Sequence, residues 1–347
     1  GARGFELPAV LGQAVAAEGV LRAKGPYGSP NNLALWLGRT LPLALAWLSA
    51  RRSARRRLLL PASAALALAC GLGATYSRAS WLLGLPALFL VGGIAWWDLR
   101  RRAPGGSEAQ TSPPEGTAPA EGTDRRPPSG ASDAPRPQRV HAPEGASAPR
   151  RAVIAPWRGP AWGLLLTLTL VLFLLPALGS RRLAGTLSLE PGSTASIRWR
   201  LWQSSGRLVM DHPWLGVGPD NFLPAYRDRY VQRDVIQERA LNHPHNLVLD
   251  WATRLGWPGL VLGLVLLGAA MGTIRAALLR PDLPTAERAW AWGLAGAQAY
   301  ALAHGLVDNH FFLVDLAVAQ WLLLAAAQAL AARPPLRQVQ PVKGRPT

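Results

Sequence analysis

Cysteine is nearly missing from this sequence: Cys70 stands alone among 347 residues. A single thiol excludes an internal disulfide and any cysteine-built metal site. Cys70 lies inside an apolar run, where it reads as a packing residue. Lysine is almost as scarce. Only Lys24 and Lys343 occur, so arginine carries nearly all of the basic charge behind the net +17. On a soluble chain such a charge would point to nucleic acid, but the apolar runs below exclude a soluble domain, and no nucleic-acid partner is expected. An initiator methionine and a signal-peptide pattern are also missing before Gly1, and the expectation is an N-terminally truncated chain. No 20–50-residue repeat is visible, which argues against a solenoid. No P-loop or dinucleotide fingerprint occurs, and no cofactor is expected.

What the chain has in quantity is apolar length: 49% of it is hydrophobic. Several runs approach the twenty or so residues that a helix needs to cross a bilayer. The fold class expected is all-α: a polytopic membrane protein with about seven transmembrane helices and a helical extracytoplasmic loop. An outer N-terminal segment, 1–32, ends in GPYGSPNN, a turn rich in Gly, Pro and Asn. Three spans fill 33–97, at Leu33–Ala50, Leu58–Tyr76 and Trp81–Trp97. Residues 98–158 read as a disordered cytoplasmic linker of Pro, Gly, Ala and Arg, and no chemistry is assigned to it. The fourth span lies in 159–179, at Trp162–Gly179. A large loop occupies 180–259, and spans five to seven fill 260–331, at Leu260–Ala277, Ala289–His304 and Phe311–Ala331. A basic tail, 332–347, closes the chain.

Charge orients these spans. One set of connections (51–57, 98–158, 272–288 and the tail) holds 22 of the 37 basic residues, and the opposite set holds 13. By the positive-inside rule the linker and C-terminus face the cytoplasm, while Arg78, the 180–245 loop and His245 face outward. Trp47, Trp96, Trp97, Trp162 and Trp290 fit an inner interfacial belt, and Trp81 an outer one.

The rest of the chain is organised around His245–Gly259, HNLVLDWATRLGWPG. Leu247, Val248, Trp251 and Leu255 recur at helical spacing, with Asp250 and Arg254 four apart on another face. Two charges at the top of a membrane helix would each cost about 2.5–3.5 kcal/mol on insertion scales. A short helix at the membrane surface avoids that cost. Gly256-Trp257-Pro258-Gly259 then turns the chain, and the span begins near Leu260. His245 sits at the first turn of the surface helix, where the helix dipole and nearby arginines disfavour a second positive charge on its ring. A neutral imidazole suits a general base; a histidine capping a helix is the plainer alternative.

The outer loop is arginine-rich on the side that should be poor in it: Arg181, Arg182, Arg198, Arg200, Arg207, Arg227, Arg229, Arg233 and Arg239. Guanidinium groups grip phosphate oxygens in a two-pronged fork, though many of these are solvated surface. Ser196–Met210 reads as a helix on which Arg198 and Trp202 share a face. Asp211–Phe222, DHPWLGVGPDNF, is either a tight turn or an anion nest at Gly216–Gly218. Arg78, at an outer helix end, either snorkels to headgroups or supplies a fixed cation. His243 and His245 alone make a poor metal site, and no nearby acid shows ligand spacing, so no metal is expected. His304 and Asp308, four apart, with Asn309, His310 and Asp315, are costly polar groups near the outer ends of spans; they serve a site or tie helices together.

Taken together these pieces resemble the O-antigen ligase and polymerase superfamily. The resemblance rests on His245-Asn246, nine residues, then Gly256-x-x-Gly259; on GPYGSPNNLA before a span; on Tyr76-Ser77-Arg78; on Arg198 with Trp202 leading into HPWLGVGPDNF; and on HGLVDN, 304–309. It covers most of the chain except 103–152. It implies a metal-independent, GT-C-like glycosyltransferase of the bacterial plasma (inner) membrane. The implied donor is a glycan on undecaprenyl diphosphate, and the implied acceptor is lipid A-core, another glycan or a protein, as in lipopolysaccharide biosynthesis. By position, His245 would deprotonate the acceptor. Arg78 and Arg198 would hold the diphosphate, with Arg200 close enough to exchange roles with Arg198. Asn246, Gly256 and Gly259 would be motif residues, and His304 and Asp308 accessory. Polymerisation, protein O-glycosylation and lipid-linked glycan transport stand as alternatives; transport predicts polar residues running through the spans to the inner face.

Overall fold

In lipid a helix satisfies its own backbone N–H and C=O groups, and the long apolar runs of this chain fold accordingly. The computed structural model describes residues 13–17, 20–50, 58–102, 190, 192–309 and 311–333. The linker at 103–152, the span at Trp162–Gly179, Arg51–Arg57 and the tail from 334 lie outside the described residues. The longer described helices are α1 (Pro30–Ala50), α2 (Leu59–Ala74), α3 (Ser80–Arg101, π-wound over Ser80–Gly84), α4 (Thr194–Asp211), α5 (Leu247–Leu279), α6 (Thr285–Gly305) and α7 (Val314–Ala331). The protein is an all-α polytopic membrane protein.

Four helices, α1, α3, α5 and α7, are long and apolar enough to cross a membrane; α2 is apolar but shorter. They leave large apolar side chains on the outside, among them Leu90, Ile94, Val261, Leu262, Val265, Val318 and Leu322. In water such a surface would be an aggregation hazard; in a bilayer it is the solvated face. Cys70 lies on the exposed face of α2 rather than in the packing. α6 is the exception to the apolar rule and sits at the centre, packed against α1, α3, α5 and α7. Protein surrounds it, so it can carry the buried polar side chains Arg288, Gln298, Tyr300 and His304.

Small residues set how closely α6 approaches its neighbours. A Cβ at Gly38 of α1 or at Gly84 of α3 would fall on the ring of Tyr300. Tyr300 is fully buried between them, its hydroxyl 2.6 Å from Ser80 Oγ and 3.0 Å from the Ala34 carbonyl oxygen. Arg39, Gln320 and Gln298 form one polar chain within the helices. Arg39 donates to the Leu316 carbonyl at 3.1 Å and to Gln320 at 3.4 Å, and Gln320 donates to Gln298 at 2.8 Å. Three helices are tied by side chains that would otherwise be costly to bury.

A two-stranded antiparallel hairpin, β1 (Gln13–Ala17) and β2 (Val20–Gly25), precedes α1. In the sequence only the turn that follows it, GPYGSPNN, marks itself. Arg22 on β2 donates to the Thr75 carbonyl at 2.9 Å and to Asn31 at 3.0 Å, bracing the α2–α3 corner that carries Arg78.

The Gly/Pro cluster bends α5 without ending it. Gly256 has φ +67°, the one non-helical residue inside the helix, and Pro258 falls in the first turn beyond it. Trp251 packs its ring where a Cβ of Gly263 would stand. Twelve residues of straight helix would separate them by about 18 Å, so the two segments meet at a bend. The helical path resumes at Trp257, slightly before the expected Leu260.

Candidate active site

The turn 212–218 closes the first segment of α5. Val217 and Gly218 donate their N–H groups to the carbonyls of Thr253 and Arg254 at 2.8 and 3.0 Å, and Trp257 N–H reaches the Pro213 carbonyl at 2.8 Å. These bonds satisfy helix-end carbonyls that the bend would otherwise strand. They also consume the N–H groups an anion nest would need, so Gly216–Gly218 is a capping turn. The fit requires glycine on both sides: a Cβ on Gly216 would strike the backbone of Thr253 and Arg254, and one on Gly256 the Trp214 carbonyl, each at positive φ. Gly259 makes room for the side chain of Leu255 across the bend.

Asp250 and Arg254 do not face water as their spacing suggested. They are 0% and 6% exposed. Arg254 Nε donates to Asp250 Oδ1 at 2.8 Å, Asn309 Nδ2 donates to Asp250 Oδ2 at 3.0 Å, and Arg254 also reaches the Asn242 carbonyl at 3.0 Å. A paired and hydrogen-bonded charge is tolerable where a lone one is not. This buried pair anchors the α6–α7 connection, through Asn309, against α5.

That connection delivers Asp308 to His245. Asn246 caps α5, its Oδ1 accepting from Leu249 N–H at 3.0 Å, while its Nδ2 donates to the Leu306 carbonyl at 2.9 Å. His245, just before the cap, holds φ +48°, rare for a residue with a Cβ. Its Nδ1 lies 3.0 Å from Asp308 Oδ1 and 3.1 Å from His243 Nε2. The Asn309 N–H also donates to Asp308 Oδ1 at 3.0 Å. Burial pushes the Asp308 carboxyl up, but the neighbouring His243, the hydrogen bond from His245 and the nearby His304 outweigh it, holding the group well below the usual carboxylate range. Burial pulls the His245 ring below its ordinary value; Asp308 opposes this, and His243 and Arg198 reinforce it. The arrangement is a carboxylate–imidazole dyad whose Nδ1 is engaged, which leaves Nε2 as the ring nitrogen turned away from Asp308.

α4 supplies the cation. Ser193 caps it, accepting from Ser196 N–H at 3.1 Å. Trp202 donates its indole N–H to the Pro244 carbonyl at 2.9 Å, which seats the helix beside the histidine loop. Arg198, one turn earlier on the same face, is partly buried. Burial lowers its guanidinium below the ordinary value, Asp308 opposes and Arg78 reinforces, so Arg198 is within electrostatic reach of both. Arg78 reaches α4 directly, donating to Thr194 Oγ1 at 3.4 Å. Arg200 does not join them. Two residues along a helix is a rotation of about 200°, and Arg200 instead pairs with Asp234 at 2.8 Å and contacts Gln232 at 3.4 Å. His304, one turn before Asp308, is fully buried beneath the dyad, its Nδ1 3.3 Å from the Tyr300 hydroxyl.

Residues 149–264 match the family model described as O-antigen ligase. That segment belongs to the O-antigen ligase family. No curated protein matches the chain. The O-antigen ligase segment holds Arg198, Trp202, His245, Asn246, Gly256 and Gly259, whereas Arg78 precedes it and Asp308 follows it. The fold brings both to the segment. The supports that spacing had not singled out are Arg22, Asn242 and Pro244. All three act through or on a backbone carbonyl, which leaves little mark on residue type.

Proposed function

We propose that this membrane protein of O-antigen ligase/polymerase type transfers a glycan from a polyprenyl (undecaprenyl) diphosphate to an acceptor hydroxyl at the outer face of the plasma membrane, in the manner of an O-antigen ligase with lipid A-core as acceptor. His245 Nε2 takes the acceptor proton, and Nδ1–H, donated to Asp308, keeps the ring in the tautomer that makes Nε2 basic. The acceptor oxygen attacks the anomeric carbon as its bond to the diphosphate oxygen breaks, a single displacement that inverts that carbon. Arg78 and Arg198 stabilise the charge that builds on the departing diphosphate. Asn246 and the two glycines hold the base in place, and Arg200 and His304 are structural. The step as written needs no metal.

What carries this reading is the His245–Asp308 contact at 3.0 Å with the charge of Arg198 within reach of both and Arg78 next to Arg198. A base and a cation site for a leaving anion stand together, on the side that the arginine count assigns to the outside. The deciding experiment supplies a polyprenyl-diphosphate glycan to the full-length protein in lipid, with lipid A-core, a second lipid-linked repeat or an acceptor protein offered separately. Sugar on lipid A-core is the expected result. A lengthening lipid-linked chain means a polymerase, and labelled protein means an O-oligosaccharyltransferase. Donor moved across the bilayer with no transfer means a transporter and overturns the proposal.

A further inference from the structure

His243 Nε2, His245 Nδ1 and Asp308 Oδ1 form a triangle with sides of 3.1, 3.0 and 3.7 Å. A zinc ion with tetrahedral bonds of about 2.0–2.2 Å has ligand-to-ligand edges of about 3.3–3.5 Å, and the three sides bracket that length. The donor set, two imidazoles and a carboxylate, suits zinc and its neighbours. Two of the donors are oriented by outer partners, as metal ligands usually are. His243 Nδ1 bonds Asn242 Oδ1, which leaves Nε2 with its lone pair directed at the triangle. Asp308 is fixed by the Asn309 N–H. Its second oxygen, Oδ2, is buried with no hydrogen-bond partner among the described residues. Two donors come from the loop before α5 and one from the far end of α6, so the three meet only in the folded chain.

From this geometry we propose that His243, His245 and Asp308 bind a divalent ion of the zinc class, and that the bound ion switches off the base. The second half rests on the proposed role of His245. Without metal, a single proton on His245 Nδ1 is shared between Asp308 Oδ1 and His243 Nε2. A metal at the centre of the triangle takes the place of that proton, and the ring proton moves to Nε2. Nε2 then carries a hydrogen and has no lone pair with which to accept the acceptor's proton. No net proton is gained or lost by the ring, and no redox step is involved. Arg198 lies within electrostatic reach of His245 and Asp308 and opposes a second cation, so the site binds through its three donors against the local charge and is expected to be reversible.

The test uses the full-length protein in lipid nanodiscs, purified without a histidine tag, with Co²⁺ as a spectroscopic probe. One Co²⁺ per chain with the visible bands of a tetrahedral ion, displaced by Zn²⁺, is expected. His243→Gln and Asp308→Asn should each weaken binding at least tenfold, while His212→Gln, on the turn after α4, should not. A thermal melt checks that each variant is folded. Binding that is equal in His243→Gln and wild type, or that is lost in His212→Gln, overturns the site. For the second half, Zn²⁺ should inhibit transfer over the same concentrations that displace Co²⁺, and the residual transfer of His243→Gln should be insensitive to Zn²⁺. A Co²⁺ site without Zn²⁺ inhibition overturns the switch and leaves the site standing. An inactive metal-free protein that becomes active on adding Zn²⁺ overturns the metal-free base mechanism instead.

Discussion

Trp202 donates its indole N–H to the Pro244 carbonyl at 2.9 Å, one residue before His245. Through this bond the helix that carries Arg198 and the loop that carries the base move as one piece. Trp202→Phe keeps an aromatic ring but removes the donor, and losing the hydrogen bond alone is expected to cost about 0.5–1.5 kcal/mol of stability. The more specific expectation is kinetic: transfer slows while the chain stays folded, read as a fall in kcat beside an unchanged circular-dichroism spectrum. An unchanged kcat would dismiss the coupling.

His245→Ala is expected to lower transfer by about 10²–10⁴-fold, the usual contribution of a positioned general base, with expression and membrane insertion intact. Wild-type turnover in this variant, measured on a lipid-linked glycan, would sink the base assignment.

Asp308→Asn separates orientation from charge. Asparagine keeps the shape but removes the carboxylate that holds Nδ1–H and raises the His245 pKa against the lowering by burial. Activity should fall by about 10²-fold or more as the preferred tautomer is lost. The pH profile supplies the independent sign. A base works when neutral, so transfer is retained above its pKa and lost as pH falls through it. Wild-type activity should therefore persist below pH 6.5, the ordinary histidine value from which His245 is lowered. In Asp308→Asn the acid limb should move lower still, and a limb that moved upward would contradict the dyad.

Arg78→Ala and Arg198→Ala should each remove a charge-assisted contact to the diphosphate, a loss of about 1.5–3 kcal/mol or roughly 10–100-fold in kcat/KM. Lysine should recover part of this, because it keeps the charge and loses the fork. Arg200→Ala should do neither, since its guanidinium is bonded to Asp234 on the other side of α4. Equal losses in all three variants would argue for a general surface charge effect.

Gly256→Ala tests the bend. An alanine would have to hold φ +67° and place its methyl on the Trp214 carbonyl, so the cost should exceed the 1–2 kcal/mol of the left-handed conformation alone. A lowered thermal midpoint, with transfer reduced at temperatures where the chain is folded, is the expected result. Gly272→Ala on the same helix meets nothing within 4 Å and serves as the neutral control.

Most of the apolar helices were legible because apolar length and helix spacing are local properties: the runs at α1, α2, α3, α5 and α7 mark themselves residue by residue. The bend at Gly256–Gly259 was legible for the same reason, and Arg198 and Trp202 share a face by spacing alone. Arg198 and Arg200 looked equivalent in sequence, and the helix turn sends them to opposite sides. Asp250 and Arg254 looked like a wetted face because nothing in their neighbourhood announces Asn309, more than fifty residues on. Asp308 could be marked as an expensive polar group, yet its partner could not be read from spacing, and the absence of a third donor near His243 and His245 held only along the chain.

By itself, then, the sequence determined that this is a helical membrane protein, where its chain bends, and which arginines and histidines are candidates for chemistry, because hydropathy, helix period and the φ demands of glycine act over a few residues. Only the tertiary structure decided which candidates meet. Packing α6 at the centre of the bundle brings its far end over the start of α5 and places Asp308 on His245, while the Trp202–Pro244 bond seats Arg198 beside them and Arg78 reaches the same helix through Thr194.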